Sequence, residues 1–156
     1  MSEITDTARD ERFMRRALEL AEKAAALGEV PVGAVVVMGE EIISEAYNRR
    51  ELDKNALAHA ELLAIDKACA KLGGWRLHKC ELYVTLEPCT MCAGAIVNSR
   101  IRRVVIGAKD AKAGAMGSLL NVNFYPLNHH PETVFGVCEA ECAGLLRDFF
   151  KRLRKK

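Results

Sequence analysis

From Phe13 onward, apolar residues fall at Phe13, Ala17, Leu20, Ala21, Ala24 and Leu27, the spacing of one helical face, and Gly28 supplies a stop. "VGAVVVM" then reads as a buried strand. Gly39 and Glu40 form a turn, and "EIISEAY" returns as the second arm of a hairpin. The polar stretch "NRRELDKNAL" is a loop, and "AHAELLAIDKACAKLGG" is a helix closed by Gly73 and Gly74. "CELYVTL" is a third strand. Pro88 suits the first turn of a helix, where its missing N–H costs nothing, and "CTMCAGAIVNS" continues that helix. "IRRVVIGA" is a fourth strand. The segment 107–130 lacks a strong period, with a short helix expected around Leu119. "ETVFGV" is a fifth strand, followed by a long amphipathic helix.

The order α-β-β-α-β-α-β-β-α predicts an α/β fold in three layers, a mixed five-stranded sheet with helices on both faces. The third and fourth strands are each reached through a helix, so they are expected to run parallel, with right-handed crossovers. No repeat, linker or low-complexity tract divides the chain, and residues 1–156 read as one domain.

Composition narrows the class without naming a partner. Half of the 156 residues are hydrophobic and four are proline, enough apolar mass for a core. The formal charge is +2, but its distribution is uneven: "MSEITDTARDE" is acidic and "LLRDFFKRLRKK" is strongly basic. A basic end beside two phenylalanines can attract phosphate and offer stacking faces, although on charge alone a solvated helix face is the simpler reading. "GAVVVM" is the longest clear apolar run, too short for a membrane span. The acidic start lacks the apolar core of an export signal. Six cysteines without such a signal point to a reducing cytoplasm, where C-x-x-C means metal or catalysis.

The chemistry gathers at two places. In "VTLEPCTMC", Cys89 and Cys92 fall at i and i+3 of a helix start, so both sulfurs can face one point. A helix N-terminus also favours the thiolate that a metal needs. In "AHAE", His59 and Glu61 open another helix. His59, Cys89 and Cys92 make three ligands and leave the fourth tetrahedral position to water, the pattern of a catalytic zinc. Zinc brings the pKa of such a water to about 7, and Glu61 is the group to move its proton. H-x-E followed by P-C-x-x-C is the signature of zinc-dependent base deaminases, whose chemistry on adenine and cytosine is known. A thioredoxin-like couple would lack the H-x-E partner, and a structural zinc would want a fourth Cys or His. Cys138 and Cys142, with His129 and His130 nearby, offer donors for a second metal, but cysteines so spaced are common core residues. Cys69 and Cys80 read as core or surface thiols.

From about Phe13 to about Arg154, "GEVPVGAVVV", "YNRRE", "AHAELLAI", "LYVTLEPCTMCAGAIVNSRI", "RVVIGAKDAKAGAMGSL" and "ECAGLLRDFFKRLR" together resemble the bacterial tRNA-specific adenosine deaminases. The resemblance implies a cytidine-deaminase-like fold, a homodimer with one Zn²⁺ per subunit, and hydrolysis of adenosine to inosine at the wobble position of a tRNA anticodon stem-loop. It implies His59, Cys89 and Cys92 as zinc ligands and Glu61 as proton shuttle. It also implies Asn48 and the backbone N–H of Ala60 as holders of the nucleotide and Val30 as a pocket wall, with an arginine tRNA as substrate. On its own chemistry, Asn48 equally suits an Asx turn, and Val30 suits a core. Asp110 in "AKDAK" is expected to accept a ribose 2′-OH, or else to serve as a surface-turn aspartate. Phe149, Phe150 and Arg152 lie where the family's last helix meets RNA, and the two phenylalanines cannot both face one side. The sequence departs from the family pattern at His130 and Leu57. Two rival functions are a free-base or nucleoside deaminase acting on guanine or cytosine, and a non-catalytic zinc-bearing RNA-binding module, which would have no need of Glu61.

Overall fold

The computed structural model describes residues 3–155, with side chains from residue 7 onward. Helix α1 spans Glu3–Ala26, followed by the hairpin β1 (Gly33–Met38) and β2 (Glu41–Tyr47). Helix α2 is Ala60–Leu72, β3 Cys80–Leu86, α3 Thr90–Asn98 and β4 Arg103–Ala108. A 3-10 turn at Val122–Phe124 precedes β5 (Glu132–Phe135) and α4 (Glu139–Arg154). Five strands form one sheet in the order β2-β1-β3-β4-β5. No helix among the described residues is long and apolar enough to cross a membrane.

Strand alternation decides which helix goes where. On one face, Ala34, Val36, Leu82, Val84, Val104 and Ile106 pack against Ala60, Ala64 and Ala68 of α2 and Ala93 and Ile96 of α3. The other face presents Val35, Val37, Tyr83 and Val105 to Phe13, Met14, Ala17 and Leu20 of α1 and Cys142 of α4. Adjacent residues of one strand thus serve opposite layers, which is the period-two geometry of a sheet covered on both sides. Helix α1 comes so near β1 that a Cβ on Gly33 would collide with the Ala17 carbonyl.

The three-layer mixed sheet agrees with the sequence reading, but four details differ. Strand β3 is parallel to β4 as expected, yet its other neighbour is β1, which it meets antiparallel. Each strand's hydrophobic pattern is satisfied by burial, and pattern alone does not say beside which neighbour. The short helix expected around Leu119 is instead an isolated bridge between Met116 and Asn121 followed by the 3-10 turn. Pro88 lies just outside α3 rather than in its first turn, because Cys89 caps that helix. Helix α1 starts well before Phe13.

That upstream part of α1 brings Arg9 and Asp10 to a buried ionic cluster. Arg103 donates to both oxygens of Asp10 at 2.9 and 2.6 Å and to Glu81 at 2.7 Å. Arg9 lies 3.2 Å from Glu81, and the Tyr83 hydroxyl donates to Asp10 at 2.6 Å. Burial alone would raise the Asp10 and Glu81 carboxyls, but the guanidinium hydrogen bonds outweigh it and hold both below the usual range. Their contribution to stability is therefore present above about pH 4 and lost as pH falls through the depressed values. Replacing Arg103 with Met would strand two buried carboxylates, and we expect urea denaturation at pH 7 to show a loss of about 3–5 kcal/mol. The difference from the unaltered chain should shrink below about pH 4; a gap independent of pH would mean that packing, not charge, supplied the effect.

Candidate active site

Both halves of the motif sit at helix starts. His59 is the N-cap of α2, with extended backbone at φ −79° and ψ 149°, and its carbonyl accepts the Leu63 N–H at 3.1 Å. Cys89 caps α3 at φ −74° and ψ −179°, and its carbonyl accepts the Ala93 N–H at 2.8 Å. Neither side chain caps its own helix, so each is free to point at its neighbour. Cys92 follows one turn into α3 and is fully buried.

The two helix starts bring His59 Nδ1 to 3.7 Å from Cys89 Sγ and 3.6 Å from Cys92 Sγ. All three donor atoms lie within 4.8 Å of one another. A tetrahedral zinc with about 2.3 Å to sulfur and about 2.0–2.1 Å to nitrogen would space its S and N ligands about 3.5 Å apart. Two thiols and an imidazole at this spacing fit that ion in both donor chemistry and size. Among the described residues no other group of three or more such side chains meets this criterion. The second site conceivable from Cys138, Cys142, His129 and His130 is not assembled: His129 and His130 each place Nε2 on a backbone carbonyl, of Ile101 and Tyr125.

The local charges are coupled. A hydrogen bond from Cys92, then one from His59, pulls the Cys89 thiol down to about 3. Cys92 is pushed up by that same hydrogen bond, by burial and by the neighbouring Glu61, so it keeps the proton the pair shares. His59 is raised, first by its hydrogen bond to Cys89. Glu61 is pushed up to about 7, chiefly by burial. A divalent cation among these donors would displace the thiol protons and favour the ionised carboxylate.

The triangle opens into a cavity of about 150 Å³. That is well below the roughly 300–1,000 Å³ of sites for larger ligands, so it has room for one flat ring system. Val30 and Val32 supply an apolar wall, and the polar lining includes Asn48, Glu61, Glu87 and Asp110 beside His59 and Cys89. Asn48 is 8 % exposed; its Nδ2 donates to the Val30 carbonyl at 3.1 Å and its Oδ1 accepts from the Arg50 N–H at 3.2 Å. The Asx turn and the place in the pocket, read from the sequence as alternatives, thus coexist. Asp110 Oδ1 likewise accepts the N–H groups of Lys112 and Ala113 at 3.0 and 3.2 Å while the residue lines the cavity.

The helix α4 residues lie apart from this lining. Phe149 is buried, whereas Phe150 is 40 % exposed, their rings 5.4 Å apart edge to face. Of the two, Phe150 faces solvent and Phe149 belongs to the core, a split set by helical rotation; Arg152 is exposed.

Besides Asp10 and Glu81, two buried carboxylates near the site escaped the sequence reading. Glu29, 1 % exposed, accepts the N–H groups of Glu51 and Leu52 at 3.1 and 2.7 Å and so holds the loop after β2. Glu87, 2 % exposed, accepts the N–H groups of Asp110, Met116 and Ser118, each at 3.1 Å, and the Ser118 hydroxyl. It lines the cavity itself, and a side chain on Gly114 would collide with it. The available signal was a carboxylate at the end of a mostly apolar strand, directly before Pro88.

A sheet covered on both faces, with H-x-E and P-C-x-x-C brought together at two helix starts, defines a deaminase. The MafB19-like deaminase family model matches residues 8–154. The tRNA-specific adenosine deaminase of Bacillus subtilis (strain 168) is 53 % identical over 148 residues, covering 94 % of this chain and 92 % of that one. Its counterpart in Haemophilus influenzae is 48 % identical over 149 residues, covering 94 % and 86 %. The chain belongs to the family of the tRNA-specific adenosine deaminases. A solved structure from a study of A-to-I editing by tRNA:A34 deaminases at the wobble position superposes with a TM-score of 0.84 at 44 % identity, covering 86 % of this chain and 99 % of that one. A guanine deaminase from Nitrosomonas europaea matches at 27 % identity and TM-score 0.74, covering 89 % and 83 %.

Glu87 gives this site a direct test. Glu87→Gln would turn amide hydrogens toward groups that are themselves donors, and we expect a stability loss of about 2–3 kcal/mol. Because the loop carrying Asp110 would loosen, KM for an RNA substrate should rise more than kcat falls. A fall in kcat alone would place Glu87 in the chemistry rather than in the frame.

Proposed function

We propose that this chain hydrolyses adenosine to inosine and ammonia at the wobble position of a tRNA anticodon loop. The observation that carries the reading is the buried Glu61 beside the His59–Cys89–Cys92 triangle, both open to a cavity sized for one base. His59, Cys89 and Cys92 would hold Zn²⁺, which when bound supplies Lewis acidity to the attacking water. Glu61 takes one proton from that water and delivers it to purine N1 as C6 is attacked; it then takes the remaining proton of the hydroxyl added at C6 and passes it to the amino nitrogen, which leaves as ammonia. Its burial keeps the carboxyl able to hold or release a proton near neutral pH.

Asn48 fixes the nucleotide with the amide hydrogen and lone pair left over from its bonds to Val30 and Arg50. The Ala60 N–H, at the first position of α2, has no acceptor within the helix and is free for the base. Val30 packs against the ring. An unpaired loop nucleotide enters such a cavity at lower cost than a base in a duplex. Phe150 and Arg152 on the exposed side of α4 contact the RNA outside the pocket, while Phe149 supports them from the core. The family resemblance favours an arginine tRNA and a homodimer. Exposed Leu119, Phe124, Tyr125 and Leu127 offer apolar surface for the second subunit. The six free cysteines favour the cytoplasm, where thiols stay reduced.

The guanine deaminase likeness keeps one alternative in view, since a triangle and carboxylate of this kind would equally serve a free base. An anticodon stem-loop with adenosine at the wobble position, incubated with zinc-loaded protein, should gain the inosine mass change at that position only. Glu61→Ala should lower the rate by about 10²–10⁴-fold or more with zinc retained. Equal turnover of free guanine would favour the alternative, and full activity of Glu61→Ala would remove the shuttle. Asp110→Asn should narrow the preference for an RNA hairpin over its DNA counterpart; an unchanged ratio would leave Asp110 as a turn residue.

A further inference from the structure

At the far end of β3 from the catalytic cavity, three segments converge. The Leu77 N–H bonds to Ser99 O at 2.7 Å, the Arg102 N–H to Cys80 O at 3.0 Å, and the Glu132 N–H to Arg102 O at 3.0 Å. The seven residues of β3 put roughly 20 Å between this end and Cys89. Here the chain's only tryptophan, Trp75, is 55 % exposed. The Arg76 guanidinium lies 4.9 Å from its ring centroid and that of Arg100 5.8 Å. Neither arginine has an ion-pair partner among the described residues, whereas Arg102 beside them is paired with Glu81 at 2.8 Å. They border an open cavity of about 640 Å³ shared with Arg102, His129 and His130, with Glu132 its one carboxylate.

Arg100 is held there at a cost. It follows the C-cap Ser99 of α3 in the left-handed region at φ 65°, a position that favours Gly or Asn. Its side chain donates to the Val97 carbonyl at 2.8 Å, which sets the guanidinium beside the indole. An exposed aromatic face flanked by arginines without ion-pair partners stacks bases and neutralises phosphates.

We propose that Trp75, Arg76 and Arg100 form a second RNA-binding surface, which takes the sugar-phosphate backbone and an unpaired base of the tRNA outside the anticodon stem-loop. It rests on the reading of tRNA as substrate. The surface adds affinity for whole tRNA and leaves chemistry on the stem-loop unchanged.

Trp75 is its own reporter, since all tryptophan fluorescence comes from this surface. With zinc-loaded protein, full-length tRNA transcript should quench Trp75, whereas the stem-loop, inorganic phosphate and polyglutamate should not. Arg100→Gly suits the left-handed backbone and removes the guanidinium, and Trp75→Ala/Arg76→Ala removes the platform. Each should weaken tRNA binding about tenfold and flatten its salt dependence by about one to two in the log–log slope. Stem-loop kcat/KM should stay unchanged. Unaltered tRNA affinity and slope in both variants would overturn the proposal, as would equal losses on stem-loop and tRNA, which would place the surface in the catalytic footprint. Quenching by polyglutamate or phosphate as strong as by tRNA would point to an acidic protein or a free anion instead. Absence of inosine formation by the unaltered protein would count against the substrate reading alone, because the quenching does not depend on turnover.

Discussion

The site depends on one constraint: two helices must begin side by side, each capped by a residue whose side chain turns away from its own helix. His59 and Cys89 meet that condition, and their approach to 3.7 Å is possible because α2 and α3 lie on the same face of the sheet. Small residues permit this. Ala60, Ala64 and Ala93 put little between helix and strand, so the first turns settle at the edge of the sheet with their ends converging. The same geometry aims two sets of unpaired helix N–H groups and two positive dipole ends at the place where the two sulfurs gather. The donor triangle and the helix caps are here one feature of the chain.

Around that centre the protein uses buried carboxylates as braces. Glu29 and Glu87 each accept backbone N–H groups from a loop that has no regular structure of its own. Fixed in this way, the loops after β2 and β4 hold Asn48 and Asp110 against the cavity. Glu61 is also buried, but its carboxyl is pushed up to about 7 rather than tied down by a loop. The contrast separates frame from chemistry: a carboxylate saturated with donors stays fixed, and one that burial keeps near neutrality exchanges protons.

The likeness to a guanine deaminase at 27 % identity shows that the fold is common to deaminases that differ in substrate. The fold and the His59–Cys89–Cys92 triangle set no preference among amino-bearing rings that reach them. Selection must come from what surrounds the cavity mouth, where Arg50, Asp110 and the segment 111–127 are mostly exposed. Exposed Phe124 and Tyr125 lie in that segment, Phe150 lies on α4, and Trp75 with its arginines forms a separate set.

The donor triangle and Glu61 were legible as a cluster in the sequence because local signals encode them. A ligand beside a helix start, a proline before C-x-x-C and a strand of uniform apolar residues are each contained within a few positions of the chain. The layer order followed from the alternation of helical and strand periods. Other features needed the folded chain. Nothing in "CELYVTL" says that β3 lies against β1 as well as β4, since burial on both faces satisfies its pattern beside either neighbour. Which phenylalanine of Phe149 and Phe150 is core depends on how α4 is rotated against the sheet, and the burial of Asp10 with Arg103 depends on contacts 93 residues apart. Glu29 and Glu87 look like ordinary acids until the loops they hold are in place. Short-range sequence sets each element and its chemistry, but register, neighbours and loop anchorage arise from long-range contacts that exist only once the layers have packed.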